Sequence, residues 1–153
     1  MISPGDVAPP FSLTDKDGEA VELASFVGRR VLVYFYPKAD TPGCTQQACA
    51  LKAVLDQIGD TVILGISPDS PSRQLKFAQK YSLGFPLLAD EDHAVAEAYG
   101  VWQEKKNYGK VYMGVLRSAF LIDAKGKVAE AWYKISPKDT PTKLLEALGS
   151  PSK

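Results

Sequence analysis

The spacing of apolar positions divides the chain into short segments with two different periods. A Pro-rich arm, MISPGDVAPP, opens it. FSLTD and AVEL then flank a Lys16-Asp17-Gly18 turn and predict a β-hairpin. VLVYFY at 31–36 is a continuous β-branched and aromatic run, the mark of a strand buried on both faces, and Pro37 ends it. From Thr45 to Ile58 the apolar residues Ala48, Leu51, Leu55 and Ile58 recur at helical spacing, with Gly59 as a stop. TVILGIS at 61–67 predicts a second buried strand, followed by a helix over 71–81. FPLLAD leads to a short helix at 91–99 closed by Gly100. Residues 103–114 read as irregular. SAFLID and VAEAWYK flank Ala124-Lys125-Gly126-Lys127 as a hairpin. Thr140 is placed as the cap of a final helix, with Pro141 in its first turn and Leu144, Leu145 and Leu148 on one face. Strands alternating with helices predict an α/β fold with a central mixed β-sheet covered on both faces and an N-terminal β-hairpin.

Composition narrows the function classes. No repeat, linker or low-complexity stretch divides the 153 residues, so one domain over 1–153 is expected. Eighteen basic residues balance eighteen acidic ones, which leaves no net field to recruit nucleic acid or an anionic membrane. The N-terminus lacks the basic flank and apolar run of a signal peptide, and VLVYFY is far too short to span a bilayer. A cytoplasmic location is therefore expected. In that reducing compartment a pair of cysteines is more often catalytic or metal-binding than a permanent staple.

Both cysteines fall in YFYPKADTPGCTQQACA, residues 34–50. A strand, a Pro- and Gly-containing loop and a helix in succession put Cys44 near a helix N-terminus, where unpaired backbone N–H groups favour an anion. A free thiol titrates near about 8.5, and such a setting activates it as a nucleophile. Cys49 lies five residues on, which in an α-helix separates the Cα atoms by roughly 8.6 Å. A disulfide tolerates at most about 7 Å, so the pair can bond only if the first turns unwind. Taken alone, this leaves two buried, inert thiols and a redox pair about equally supported. Zinc is weaker, because two cysteines and one histidine at no recognised spacing do not make four ligands.

The segment PKADTPGC resembles the PxxxTxxC motif of peroxiredoxins, with Pro37, Thr41 and Cys44 at the matching positions. YFYPKADTPGCTQQAC is similar to the bacterioferritin comigratory protein (PrxQ) subfamily, in which a resolving cysteine follows the peroxidatic one by five residues. LGISPDS, FPLLADEDHAVAEAYGVW and RSAFLID also resemble family segments, so the likeness runs over roughly residues 3–148. It implies a thioredoxin-like fold and a peroxidase for hydrogen peroxide and organic hydroperoxides that uses no metal, flavin or haem. It implies further that Cys44 is oxidised to a sulfenic acid and that Cys49 closes a disulfide. A thioredoxin-type dithiol would then restore both thiols, and the protein would be a monomer. Thr41 would bond the peroxide, Pro37 would shield the thiolate, and backbone N–H groups near Gly43 and Cys44 would add donors. Arg117 would supply a fixed cation to sulfur and peroxide alike.

By residue type alone these positions have plainer readings: Thr41 as a cap, Pro37 as a strand terminator and Arg117 as a solvated charge. His93 reads as a solvated surface residue and Lys105 and Lys106 as a solvated loop pair. Trp102, Tyr108, Tyr112 and Met113 fit either simple packing or a pocket or docking surface. Lys52-Ala53 departs from the Arg-Asp that many relatives carry there. Two other classes remain as alternatives: a protein thiol–disulfide oxidoreductase, against which the missing CxxC argues, and a redox-sensing or chaperone-like interaction protein.

Overall fold

The computed structural model describes residues 1–149. Its strands are β1 (Ser12–Asp15), β2 (Ala20–Glu22), β3 (Val31–Phe35), β4 (Val62–Ser67), β5 (Leu87–Ala89), β6 (Trp102–Asn107), β7 (Lys110–Val115), β8 (Ser118–Ile122) and β9 (Val128–Trp132). Its helices are α1 (Pro42–Lys52), α2 (Pro71–Tyr81), α3 (Ala94–Ala98) and α4 (Asp139–Leu148). Seven strands form one sheet in the order β2-β1-β5-β4-β3-β8-β9, with β6 and β7 as a separate pair. The crossovers through α1 and α2 make β3, β4 and β5 parallel neighbours, while β1, β2, β8 and β9 run antiparallel to theirs.

Central β3 is buried at all five positions, and its side chains alternate between two cores. Leu32 and Tyr34 join Tyr36, Cys44, Ala48, Leu51, Phe77 and Leu144, the layer under α1, α2 and α4. Val31, Val33 and Phe35 face Phe11, Leu64, Val95, Tyr99 and Phe120, the layer under α3 and the N-terminal arm. Burying both faces is what the unbroken apolar run requires.

Three expectations change. The helix predicted over 45–58 begins at Pro42 and ends at Lys52. Pro42 fits a first helical turn, where its missing N–H is no loss, and the Thr41 carbonyl accepts the Thr45 N–H at 2.8 Å. At the other end Val54 leaves helical geometry (φ −110°, ψ 8°), and a 3₁₀ turn at Leu55–Gln57 carries Ile58 back to the core. Thr140 lies inside α4 rather than capping it; its hydroxyl donates to the Ser136 carbonyl at 2.9 Å. Residues 103–114 are not irregular but belong to the β6–β7 hairpin, in register from Trp102↔Val115 to Asn107↔Lys110. Its turn is Tyr108-Gly109, both left-handed (φ 52° and 76°), the geometry a two-residue hairpin loop demands. The pattern hid it because few of its positions are buried.

Candidate active site

β3 runs out of the core into the loop 37–41, and that loop is held from beneath. The Tyr36 N–H donates to the Ile66 carbonyl at 3.0 Å, and its hydroxyl makes a short bond to Gln74 Oε1. Gln74, fully buried, donates to Ser67 Oγ at 2.8 Å and to the Leu88 carbonyl at 3.0 Å. The Ser67 hydroxyl donates to Asp69 Oδ2 at 2.7 Å, and the same oxygen accepts the Ala39 N–H at 2.6 Å. The loop is thus tied to the end of β4 through one nearly buried carboxylate, which Arg73 also approaches at 3.3 Å. Next to it Asp40 sits in the left-handed region (φ 61°), a conformation Asp tolerates better than most residues. Its carboxylate accepts from Lys80 Nζ and from Tyr81 Oη, each at 3.0 Å. Those bonds hold the Asp40 carboxyl below the usual range.

The chain then enters α1. Thr41 occupies the N-cap position in extended geometry (φ −90°, ψ 158°), but its hydroxyl donates to the Lys38 carbonyl at 2.8 Å and makes no cap bond. Half-buried Pro37 stands at the end of the strand. Cys44, in the first turn of α1, is 1% exposed. From the start of β8, on the far side of the molecule in sequence, Arg117 reaches back with Nη2 to Cys44 Sγ at 3.4 Å. Its Nη1 donates to Gln47 Oε1 at 2.8 Å. Gln47 is fully buried one turn after Cys44 and donates in turn to Thr140 Oγ1 at 2.9 Å. Sequence spacing explains the pair: residues at i and i+3 share a helix face, so Cys44 and Gln47 meet Arg117 together.

Gly43 makes the approach feasible. A Cβ built there would lie 3.0 Å from Arg117 Nη2, closer than the guanidinium tolerates without shifting. The geometry therefore sets a fixed planar cation and a helix start around one buried sulfur, an arrangement that supports negative charge on it. Cys49 lies later in the same helix, half-buried; both cysteines are free thiols. Tyr34 of β3, in the same core layer as Cys44, is fully buried, and its hydroxyl has no hydrogen-bond partner among the described residues. Burial pushes its pKa well above the ordinary value, and the neighbouring Tyr36 and Cys44 add to the rise.

The structure thus brings Arg117 to Cys44, while the sequence reading gave Gln47, Asp69 and Gln74 no role and gave Thr140 only that of a helix cap. Polar residues at interior helical spacing were the available signal for Gln47 and Gln74. Lys105 is not solvated as expected: it is half-buried, and burial lowers its pKa, with the charge of Arg117 adding to that effect and Cys44 opposing it. His93 is likewise not free in solvent but stacked on Trp102, ring centroids 3.9 Å apart. Lys52 donates to the Tyr81 carbonyl at 3.1 Å, so its ammonium has a partner without the acid of the usual motif. Among the described residues no group of three or more His, Cys, Asp or Glu is placed to hold a metal, and no helix is long and apolar enough to cross a membrane.

Comparison with known proteins gives a consistent set of relatives. The AhpC/TSA family pattern matches residues 4–131. Peroxiredoxin Bcp of Escherichia coli is 55% identical over 129 residues, 83% of each chain. Peroxiredoxin Bcp of Bacillus subtilis is 44% identical over 149 residues, 96% of this chain and 95% of that one. Among solved structures, the Xanthomonas campestris bacterioferritin comigratory protein, studied for its alkyl peroxide reduction activity, superposes with a TM-score of 0.87 at 34% identity. That match covers 94% of this chain and 92% of the other. Peroxidoxin BcpB from Mycobacterium tuberculosis gives 0.88 at 31% identity over the whole of both chains.

Proposed function

Because the chain belongs to the AhpC/TSA family and is a peroxiredoxin, a thiol-dependent peroxidase, we propose that Cys44 is its peroxidatic cysteine and Cys49 its resolving one. The observation that carries this reading is the 3.4 Å approach of Arg117 Nη2 to Cys44 Sγ at the start of α1. The Cys44 thiolate attacks the terminal oxygen of a hydroperoxide; an S–O bond forms, the O–O bond breaks and the electron pair leaves on the alkoxide. Sulfur is oxidised to the sulfenic acid, and the alkoxide takes a proton from water to leave as alcohol. Charge spreads along the sulfur–oxygen–oxygen line, where the Arg117 guanidinium and the backbone N–H groups at Gly43 and Cys44 stabilise it. Thr41 donates its own proton to Lys38, which leaves its oxygen lone pairs to accept the peroxide O–H. Pro37 keeps bulk water off the sulfur.

Resolution needs α1 to open, because an intact helix holds residues 44 and 49 beyond disulfide reach. The Cys49 thiol then displaces water from the sulfenic sulfur and closes the disulfide. A thioredoxin-type dithiol reduces it by exchange. Organic hydroperoxides join hydrogen peroxide as substrates, in line with the alkyl peroxide activity described for the Xanthomonas campestris relative. We read the chain as one domain, since both core layers pack on a single sheet, and take its monomeric state and cytoplasmic location from the family resemblance and the sequence alone. The test is intact-mass analysis after one equivalent of peroxide. Loss of two hydrogens is expected. A stable gain of one oxygen would remove Cys49 from the cycle, and an unchanged mass would remove Cys44.

A further inference from the structure

The exposed β6–β7 hairpin stands apart from the seven-stranded sheet, and its second strand ends two residues before Arg117. The Leu116 N–H donates to the Val101 carbonyl at 2.7 Å and pins its two ends together, one residue before Arg117. Four large apolar side chains that the fold leaves in solvent lie on it: Tyr108, 97% exposed, with Val111, Tyr112 and Met113. A two-stranded ribbon uncovered along most of its length buries too little to need such residues for its own stability.

The two faces of the ribbon differ. Pairing puts Lys105 opposite Tyr112, Gln103 opposite Gly114 and Asn107 opposite Lys110 on one face. The other carries Glu104, Met113, Lys106 and Val111. Gly114 is a notch in the first face: a Cβ there would meet Lys105 Cδ at 3.2 Å and Tyr112 Cε2 at 3.5 Å. The Lys105 stem lies against this notch, and its charge is within the field of Arg117 and Cys44. This face therefore joins the reactive sulfur to an exposed tyrosine and to Lys105 and Lys110. It has no acidic residue, although the chain as a whole is electrically balanced.

We propose that the Lys105–Tyr112–Lys110 face of the hairpin is the docking surface for the protein dithiol that reduces the Cys44–Cys49 disulfide, a partner with acidic residues bordering its reactive thiol. The proposal rests on the peroxidase cycle above, which requires a second molecule to bring a thiolate to this end of the chain. The partner thiolate attacks one sulfur of the disulfide, forms a mixed disulfide and releases the other cysteine as a thiolate. Its second thiolate then breaks the mixed disulfide, so the partner leaves oxidised and both cysteines return reduced. The aromatic ring supplies apolar contact, and the two lysines supply attraction and orientation.

The test compares the two faces using a bacterial thioredoxin with its reductase, with dithiothreitol as a small uncharged dithiol. Lys110→Glu and Tyr112→Ser are expected to raise the KM for thioredoxin fivefold or more at low salt. Val111→Ser and Met113→Ser, on the opposite face, are expected to change it less than twofold. Added salt should raise the wild-type KM and narrow the gap to Lys110→Glu. Equal effects from both faces, or no salt dependence, would overturn the assignment. So would a loss shared with dithiothreitol, a change in sedimentation on hairpin substitution, or a wild type that thioredoxin fails to reduce. Peroxide turnover with dithiothreitol by the wild type checks the peroxidase cycle separately.

Discussion

Cys44, at the start of α1, is 1% exposed, lies 3.4 Å from a guanidinium and neighbours a fully buried glutamine that bonds the same Arg117. Five residues later Cys49 is half-buried, near the end of a helix that stops at Lys52. On the proposed cycle, one helix carries a thiol prepared by its surroundings and a thiol that becomes useful only when those surroundings let go. Reactivity is built by ordering, and resolution by the cost of undoing that order, so the two roles belong at different ends of one element.

Substitutions at the two cysteines break this comparison most sharply. Cys44→Ser should reduce peroxide turnover to the uncatalysed background in a coupled assay, since a hydroxyl at that position is a far weaker nucleophile. Cys49→Ser should keep the first oxidation, seen as one rapid turnover per chain, and lose disulfide formation. Normal multi-turnover rates with thioredoxin in that variant would make the second thiol dispensable. Next in size is Arg117→Met, which keeps volume and removes the donors. A loss of one transition-state donor costs about a hundred- to a thousandfold, and the fall should appear in kcat/KM for peroxide. A loss below tenfold would mean the guanidinium only packs beside the sulfur.

Gln47→Ala tests whether the ordering itself matters. It leaves Arg117 Nη1 without its bond and Thr140 without its donor, both inside the fold. The expected cost is about 1–3 kcal/mol of stability, read from urea unfolding, together with roughly a tenfold slower reaction with peroxide as Arg117 loses its fixed orientation. The KM for reductant should stay put. If stability falls and peroxide reactivity does not, the glutamine is scaffolding alone.

The sheet and the reactive motif were legible in the sequence because each rests on a strong local signal. VLVYFY cannot be satisfied except by burial on both faces, and Pro37, Thr41 and Cys44 stand together in one short stretch; the start of α1 at Pro42 was not legible, because the helical spacing of apolar residues begins only at Ala48. The β6–β7 hairpin was not legible, since its residues answer to solvent and to Tyr108-Gly109 rather than to a core. Nor was the support beneath the loop. The contacts from Asp69 to Ala39 and from Gln47 to Thr140 join residues 30 and 93 positions apart, and only the folded sheet brings them together.

The smallest effect should come from the latch on the loop before α1. The Asp40 carboxylate, bonded by Lys80 and Tyr81, ties that loop to the last turn of α2, and the pair is exposed on both sides. Asp40→Asn keeps the left-handed backbone, which Asn also tolerates, and removes the charge. Exposed ion pairs are weak, so disulfide formation after a peroxide pulse should speed up by less than about fivefold at pH 7. The sign with pH follows from the lowered carboxyl. Its contribution is present above the unfolded aspartate value, near about 3.9, and is lost as the pH falls through the lower folded value. Wild type and variant should therefore differ at neutral pH and converge as the carboxylate is protonated in acid. A difference that persists there would mean that Asp40 acts through its backbone rather than its charge, and that the opening of α1 is set at the Cys44–Arg117 end alone.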